Sequence, residues 1–256
     1  MRITIKIGSN VLTRKDGTLD ITRMSSLVDQ IAELRHQGHE VILVSSGAVA
    51  SGRSELKHIQ HDLDSVDQRQ LFSAVGQAKL MNRYFELFRE YGISVGQVLT
   101  MKENFSDAEH KKNQENCLRV MLENSVLPIV NENDTVSITE LMFTDNDELS
   151  GLIAQMTKSH KLIILSNIDG IYTGNPDDPD SRLIPAVRPN MDLSEYIQKS
   201  TSSAGRGGML SKSSVAIKTA ALGISVIIAN GKRENILLNI MNDTENTPCT
   251  EFLIKS

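Results

Sequence analysis

The chain has 256 residues, 39% apolar and 23% charged, a composition that suits a soluble globular protein with a sizeable core. A net charge of −5, the absence of Trp and 4% aromatic content exclude an obvious nucleic-acid or anionic-membrane surface. No apolar run approaches the roughly 20 residues that span a bilayer, and the two cysteines, Cys117 and Cys249, form no CxxC pair. Neither a disulfide framework nor a zinc site is expected, and the compartment expected is a reducing, cytoplasmic one.

Strand-like and helix-like segments then alternate almost throughout. Arg2-Ile3-Thr4-Ile5-Lys6-Ile7 alternates as a strand does, not as a signal peptide, and runs into Gly8. Apolar residues at Ile21, Met24, Leu27, Val28, Ile31 and Leu34 predict a helix over 21–37 with Gly38 just past its end. A buried strand over 40–45 follows. Next come a helix over 67–91, interrupted or kinked near Gly76, and a strand over 95–100. Residues 104–116 read as a polar loop, and 115–124 as a helix with Cys117, Leu118, Met121 and Leu122 on its buried side. Strands over 126–130 and 161–166, a turn-rich loop over 175–179, a helix over 209–222 ended by Gly223 and a strand over 225–229 complete the series. This alternation predicts one α/β domain with a mainly parallel sheet and helices on both faces.

Polar residues crowd after the strand over 126–130, at Asn131-Glu132-Asn133-Asp134, and again at Asp145-Asn146-Asp147, where a helix opens. Capping accounts for one or two of these, not for all, and α/β sheets bind ligands at the carboxyl ends of their strands. Several familiar chemistries are excluded. Gly8-Ser9-Asn10-Val11 is not GxGxxG, no GxxxxGK[ST] occurs, and Ser45-Ser46-Gly47 lacks the GxSxG elbow. His58 and His61 lack a third ligand and read as surface residues, not as a metal site.

Glycine turns with hydroxyls or a lysine remain: Lys6-Ile7-Gly8-Ser9, Ser45-Ser46-Gly47-Ala48, and Gly207-Gly208 with Lys212. Unpaired N–H groups at such turns and at helix N-termini bind phosphate or carboxylate. Taken singly, Lys6 reads as a strand residue on a solvated face and Lys212 as an exposed helix lysine. Together with three anion-type loops they favour phosphoryl transfer. The lack of an obvious histidine base points to a carboxylate acceptor, which is already ionised at neutral pH.

Read together, these segments resemble the amino acid kinase family over nearly the whole chain. Lys6-Ile7-Gly8-Ser9 resembles its opening phosphate loop and Gly207-Gly208-Met209-Leu210-Ser211-Lys212 its nucleotide loop. SSGAVASG with the NEND and DND pair is similar to the branch that phosphorylates glutamate. The resemblance implies a three-layer α/β/α sandwich over 1–256, with an N-terminal lobe for L-glutamate and a C-terminal lobe for ATP, whose phosphates would carry Mg²⁺. Carried over by position, Lys6, Asp147 and Lys212 would be catalytic, with Asp147 orienting the lysines, and Ser46, Gly47, Asp134 and Asn146 would hold glutamate. Lys6, Gly8, Ser166, Asn167 and the segment Arg206, Gly207, Gly208, Met209, Leu210, Ser211 and Lys212 would meet ATP. No protein ligand set for a metal is implied.

The product would be L-glutamyl 5-phosphate, on the way to proline, with L-proline as feedback inhibitor through the segment 104–116. A glutamyl phosphate reductase and a homo-oligomer are the implied partners. Relatives commonly have Asp where this chain has Asn167, and many carry a C-terminal PUA domain that this sequence does not resemble. Aspartate, N-acetylglutamate or UMP as acceptor, and a non-catalytic glutamate or proline sensor, remain the alternatives.

Overall fold

The N-terminal strand sets the frame. In a computed structural model, which describes residues 1–56, 63–137, 143, 145–193, 196 and 208–255, β1 spans Arg2–Ile7. It buries Ile3, Ile5 and Ile7 on one face and Thr4 and Lys6 on the other. Both faces are covered, which is why the expected solvated face for Lys6 is absent. The remaining strands are β2 (Glu40–Ser45), β3 (Val95–Thr100), β4 (Leu127–Glu132), β5 (Lys161–Ser166), β6 (Ala186–Val187), β7 (Ser225–Asn230) and β8 (Cys249–Phe252). Among the described residues they form one eight-stranded sheet in the order β3-β4-β2-β1-β5-β7-β8-β6. Every pairing is parallel except β7 with β8.

Helices cover both faces. They are α1 (Ser9–Leu12), α2 (Ile21–His36), α3 (Ala48–Glu55), α4 (Ser65–Arg89), α5 (Glu103–Ser106), α6 (Ala108–Glu123), α7 (Asn146–Met156), α8 (Met209–Ala220) and α9 (Ile236–Asn242). Ile3, Ile5, Leu43, Ile163 and Leu165 pack on one side with Leu27 and Ile31 of α2, Tyr84 and Phe88 of α4 and Ile240 of α9. On the other side Ile42, Val44 and Val130 meet Leu118 of α6 and Leu149 and Ile153 of α7. Leu162, Ile164, Val226 and Ile228 meet Ala216 and Ala220 of α8 there too. The result is the three-layer α/β/α sandwich with a mainly parallel sheet.

Where the elements depart from expectation, the reason is packing. The strand β4 runs two residues further than 126–130, to Glu132, and so carries Asn131 and Glu132 in the sheet. The segment 104–116 is not a loop: it holds most of α5 and the first half of α6, which Asp107 caps by accepting from the N–H of His110 at 2.8 Å. Only Leu118 and Leu122 of α6 are buried, so its polar first half carries no apolar period. Cys117, expected in the core, is exposed, because the buried stripe passes through its neighbour Leu118.

Nor is α4 interrupted at Gly76. The helix is continuous, and glycine is there because α3 crosses it backbone to backbone. A Cβ on Gly76 would lie 1.8 Å from the Ala48 carbonyl oxygen, and one on Gly52 of α3 would lie 1.9 Å from that of Phe72. Backbone cannot yield as a side chain can. Gly76→Ala is expected to lower the unfolding free energy by about 3 kcal/mol or more, beyond ordinary overpacking, and to shift the urea midpoint accordingly. Gly174→Ala, whose Cβ meets nothing closer than 3.6 Å, should leave that midpoint in place.

Candidate active site

Parallel pairing brings the ends of three strands to one level. Ile7 sits opposite Ser45 of β2 and Leu165 of β5, so Gly8, Ser46 and Ser166 emerge side by side. The Gly8 N–H donates to the Leu165 carbonyl at 3.2 Å and the Ser46 N–H to that of Ile7 at 3.1 Å. From β1 the chain moves to β2 on one side and later returns to β5 on the other, so the crevice beyond these ends is a topological switch point.

The face of β1 bearing Thr4 and Lys6 is covered by α7, and α8 packs against α7. Lys6 Nζ donates to Asp147 Oδ1 at 2.5 Å, and Lys212 Nζ to Asp147 Oδ2 at 2.9 Å. Asp147 is fully buried, and Lys6 and Lys212 keep only 4% and 8% of their exposure. Burial pushes the Asp147 carboxyl up, but the two ammonium groups outweigh it and hold the carboxyl below its ordinary range. The shared carboxylate thus holds two cations side by side at the edge of a cleft.

Two clefts meet at this point. The first, of about 430 Å³, lies over α3 and α4 and reaches Asn131, Glu132 and Asp134. The second, of about 480 Å³, lies between the ends of β1 and β5 and the start of α8. Ser9, Ser46, Asp145 and Asn146 line both. Asp145 caps α7 through Oδ1, accepting from the N–H groups of Asp147 at 2.9 Å and Glu148 at 3.1 Å, while its buried Oδ2 has no partner. Helices α3 and α8 begin at the clefts behind Gly47 and Gly208, and among the described residues neither start has a side-chain cap, an arrangement suited to an anion. Gly47 adopts φ +113°, a conformation that favours glycine.

The first cleft carries a polar chain. Asn146 Nδ2 donates to Ser46 Oγ at 2.9 Å and to Asn131 Oδ1 at 3.0 Å, and Asn131 Nδ2 donates to Gln77 Oε1 at 2.9 Å. Beside it, Arg69 Nε donates to Asp134 Oδ1 at 2.7 Å and Arg69 Nη2 to Glu132 Oε2 at 2.9 Å. Burial pushes the Glu132 carboxyl above its ordinary range; the Phe143 N–H opposes this, the Asp134 charge adds to it, and Arg69 pulls it back.

Of the residues singled out from sequence, Lys6, Asp147 and Lys212 come together. Ser46, Gly47, Asp134 and Asn146 line the first cleft, and Lys6, Gly8, Ser166, Asn167, Gly208, Met209 and Lys212 line the second. Leu210 and Ser211 do not line it; they turn to an outer groove between α7 and α8. Arg206, Gly207, His58 and His61 lie outside the described residues. Asp169, two residues beyond the uncharged Asn167, is committed to Arg233, whose Nε and Nη2 donate to it at 2.6 and 2.7 Å. Sequence reasoning missed Arg69 and Gln77. The available signal was their polarity on the stripe of α4 that otherwise buries Phe72, Leu80, Tyr84 and Phe88. Among the described residues no group of three or more His, Cys, Asp or Glu could hold a metal ion, and no helix is long and apolar enough to cross a membrane.

A family model described as the amino acid kinase family matches residues 1–230. A glutamate 5-kinase of Bacteroides thetaiotaomicron is 68% identical over 98% of this chain and 70% of its own length. One of Chlorobaculum tepidum is 46% identical over 93% of this chain and 66% of its own length. The chain thus spans about two thirds of these relatives. Among solved structures, carbamate kinase from Giardia lamblia bound to AMP-PNP matches with a TM-score of 0.70 over 99% of this chain and 98% of that one, and at 15% identity the likeness is one of fold.

Removing the shared carboxylate should strand two buried cations. Asp147→Asn is expected to lower stability at pH 7 by about 3–5 kcal/mol, the usual cost of breaking a buried pair from one side. A carboxyl whose pKa is depressed on folding stabilises fully above its unfolded value, about 3.9, and loses that contribution as pH falls through the native value. The gap between wild type and variant in urea unfolding should therefore be constant from pH 7 to about pH 5 and narrow below about pH 4.

Proposed function

The chain belongs to the amino acid kinase family, and from that premise we propose that it transfers the γ-phosphoryl group of MgATP to the γ-carboxylate of L-glutamate. The products are ADP and L-glutamyl 5-phosphate, the first step towards proline. The observation that carries this reading is the pair of clefts joined at Ser9, Ser46, Asp145 and Asn146, with Lys6 and Lys212 at the junction.

In this reading ATP occupies the second cleft beside Ser166, Asn167, Gly208 and Met209, and Mg²⁺ arrives on its phosphates, where it retains water and substrate oxygens. Glutamate occupies the first cleft. Its γ-carboxylate faces the junction near Ser46 and Asn146, and its ammonium faces the carboxylates of Asp134 and Glu132. A γ-carboxylate oxygen attacks the γ-phosphorus as the bond to the β–γ bridging oxygen breaks, and ADP leaves. No proton has to be removed from the acceptor. The obstacle is repulsion between two anions, which Lys6, Lys212 and the N–H groups at the starts of α3 and α8 relieve. Asp147 holds both lysines in place before the substrate arrives.

The acyl phosphate is labile, so a glutamyl phosphate reductase is the partner that would consume it. L-Proline as feedback inhibitor and a homo-oligomeric assembly belong to the same reading, with the site for L-proline at α5 and the start of α6, close in sequence to the first cleft.

ADP release with MgATP, measured across L-glutamate, L-aspartate, N-acetylglutamate and UMP, should occur with glutamate alone; turnover with a different acceptor would reassign the first cleft. Lys6→Ala and Lys212→Ala should each lower kcat about 10²–10³-fold with little change in glutamate KM, because the charge they stabilise peaks in the transition state. Asp134→Ala should act mainly on glutamate KM.

A further inference from the structure

The charges of the first cleft are unevenly committed. Glu132 and Asp134 share Arg69, and Asp145 caps α7. Among the described residues the remaining charged side chain lining the cleft is Arg53, in the second turn of α3. It makes no ion pair with any described residue: its neighbour Glu55 pairs with Lys79 of α4. The Arg53 guanidinium instead lies over the buried Phe72 ring of α4, with its central carbon 5.5 Å from the ring centroid.

That arrangement leaves a receptor. Contact with an aromatic face holds a guanidinium through its cationic charge and spends none of its N–H groups on that face. Phe72 is held by the tight crossing of α3 on α4, where the backbone at Phe72 abuts Gly52, so the platform is as rigid as that crossing. The cleft therefore carries two carboxylates, Glu132 and Asp134, at one place and, at Arg53, a cation with no ion pair among the described residues. An α-amino acid end group carries the complementary pair on one carbon.

We propose that Arg53 binds the α-carboxylate of the acceptor and is the residue that distinguishes an amino acid from a simple carboxylic acid. The assignment rests on the reading of glutamate as acceptor. The ammonium takes Glu132 and Asp134, the γ-carboxylate takes the junction, and the α-carboxylate takes Arg53. Because the α-carboxylate does not react, Arg53 contributes binding that is equal in ground and transition states, and its loss appears in KM, not in kcat.

The test compares L-glutamate with L-isoglutamine, which keeps the ammonium and the γ-carboxylate but carries a neutral amide in place of the α-carboxylate. In wild type the KM for L-isoglutamine should exceed that for glutamate about tenfold to a hundredfold, the range for one charge-assisted contact. Arg53→Ala should raise glutamate KM by a similar factor, leave L-isoglutamine KM within about threefold, and so close the gap. Glutamate kcat, ATP KM and the urea midpoint should stay close to wild type, and Arg53→Lys should restore part of the gap by keeping the charge. Equal rises in both KM values would make Arg53 a packing residue for Phe72 and overturn the assignment, as would no change in either. Absence of glutamate turnover in wild type would instead remove the acceptor reading, and the assignment with it; normal wild-type turnover with the gap intact in Arg53→Ala removes the assignment alone.

Discussion

The fold depends most on one buried carboxylate. Asp147 stands at the start of α7 and is reached from the sheet by Lys6 and from α8 by Lys212. Three charges removed from water would be costly without mutual pairing. The Coulombic attraction at 2.5 and 2.9 Å offsets that cost only while β1, α7 and α8 hold their relative positions. The interaction therefore works in both directions. Packing of Ile153 and Leu149 under α7, and of Ala216 under α8, keeps the ions together, and the ions forbid those helices to slide. The same pairing fixes two ammonium groups within reach of one another beside the second cleft.

The opposite wall rests on close backbone packing. Gly52 and Gly76 let α3 and α4 touch through their backbones, which brings the uncapped start of α3 over the end of β2. Tyr84 of α4 is buried and hydrogen-bonded to Ser45 Oγ at 2.7 Å; burial pushes its hydroxyl far up, so it remains protonated. Gln77 of the same helix accepts from Asn131, which in turn accepts from Asn146 of α7. One side of α4 thus holds the cleft shut against the core and the other end of this chain reaches the junction. A strained or mobile lid is not needed to explain how residues distant in sequence converge here.

Much of this was legible in the sequence because the informative segments are locally self-sufficient. β1, β2, β3 and β5 are short β-branched runs bounded by glycine or polar turns, and α2 carries both its cap Asp20 and its terminating Gly38 at φ +83°. The crowding of Asn131, Asp134, Asn146 and Asp147 at strand and helix ends pointed to the region where the two clefts lie. What stayed hidden requires knowing what covers a face. Alternation places Lys6 with Thr4 but cannot say that α7 lies over them. Glycine at position 76 signals a weak helix or a close approach, and only the crossing partner decides between these. α3 has a glycine and no apolar period, β6 and β8 are too short to stand out, and the polar half of α6 offers only its cap. Arg69, Gln77 and Arg53 gain meaning from residues far along the chain.

The acceptor proposed here agrees with how the charged groups at the junction are already occupied. No histidine lines either cleft among the described residues. Asp147 is a poor proton acceptor, since its lysine partners hold the carboxyl below the ordinary range. Asp145 spends one oxygen on the cap of α7. A hydroxyl acceptor would have to lose its proton, whereas a carboxylate arrives ionised and needs only shielding from the phosphate. Shielding is what the site supplies in quantity, from two lysines and two helix starts. The same reasoning sets the order of demands on the site. Repulsion between the reacting anions must be overcome first, so the cations are buried and fixed at the junction, while recognition of the non-reacting end can be left to the more exposed rim where Arg53 lies on Phe72.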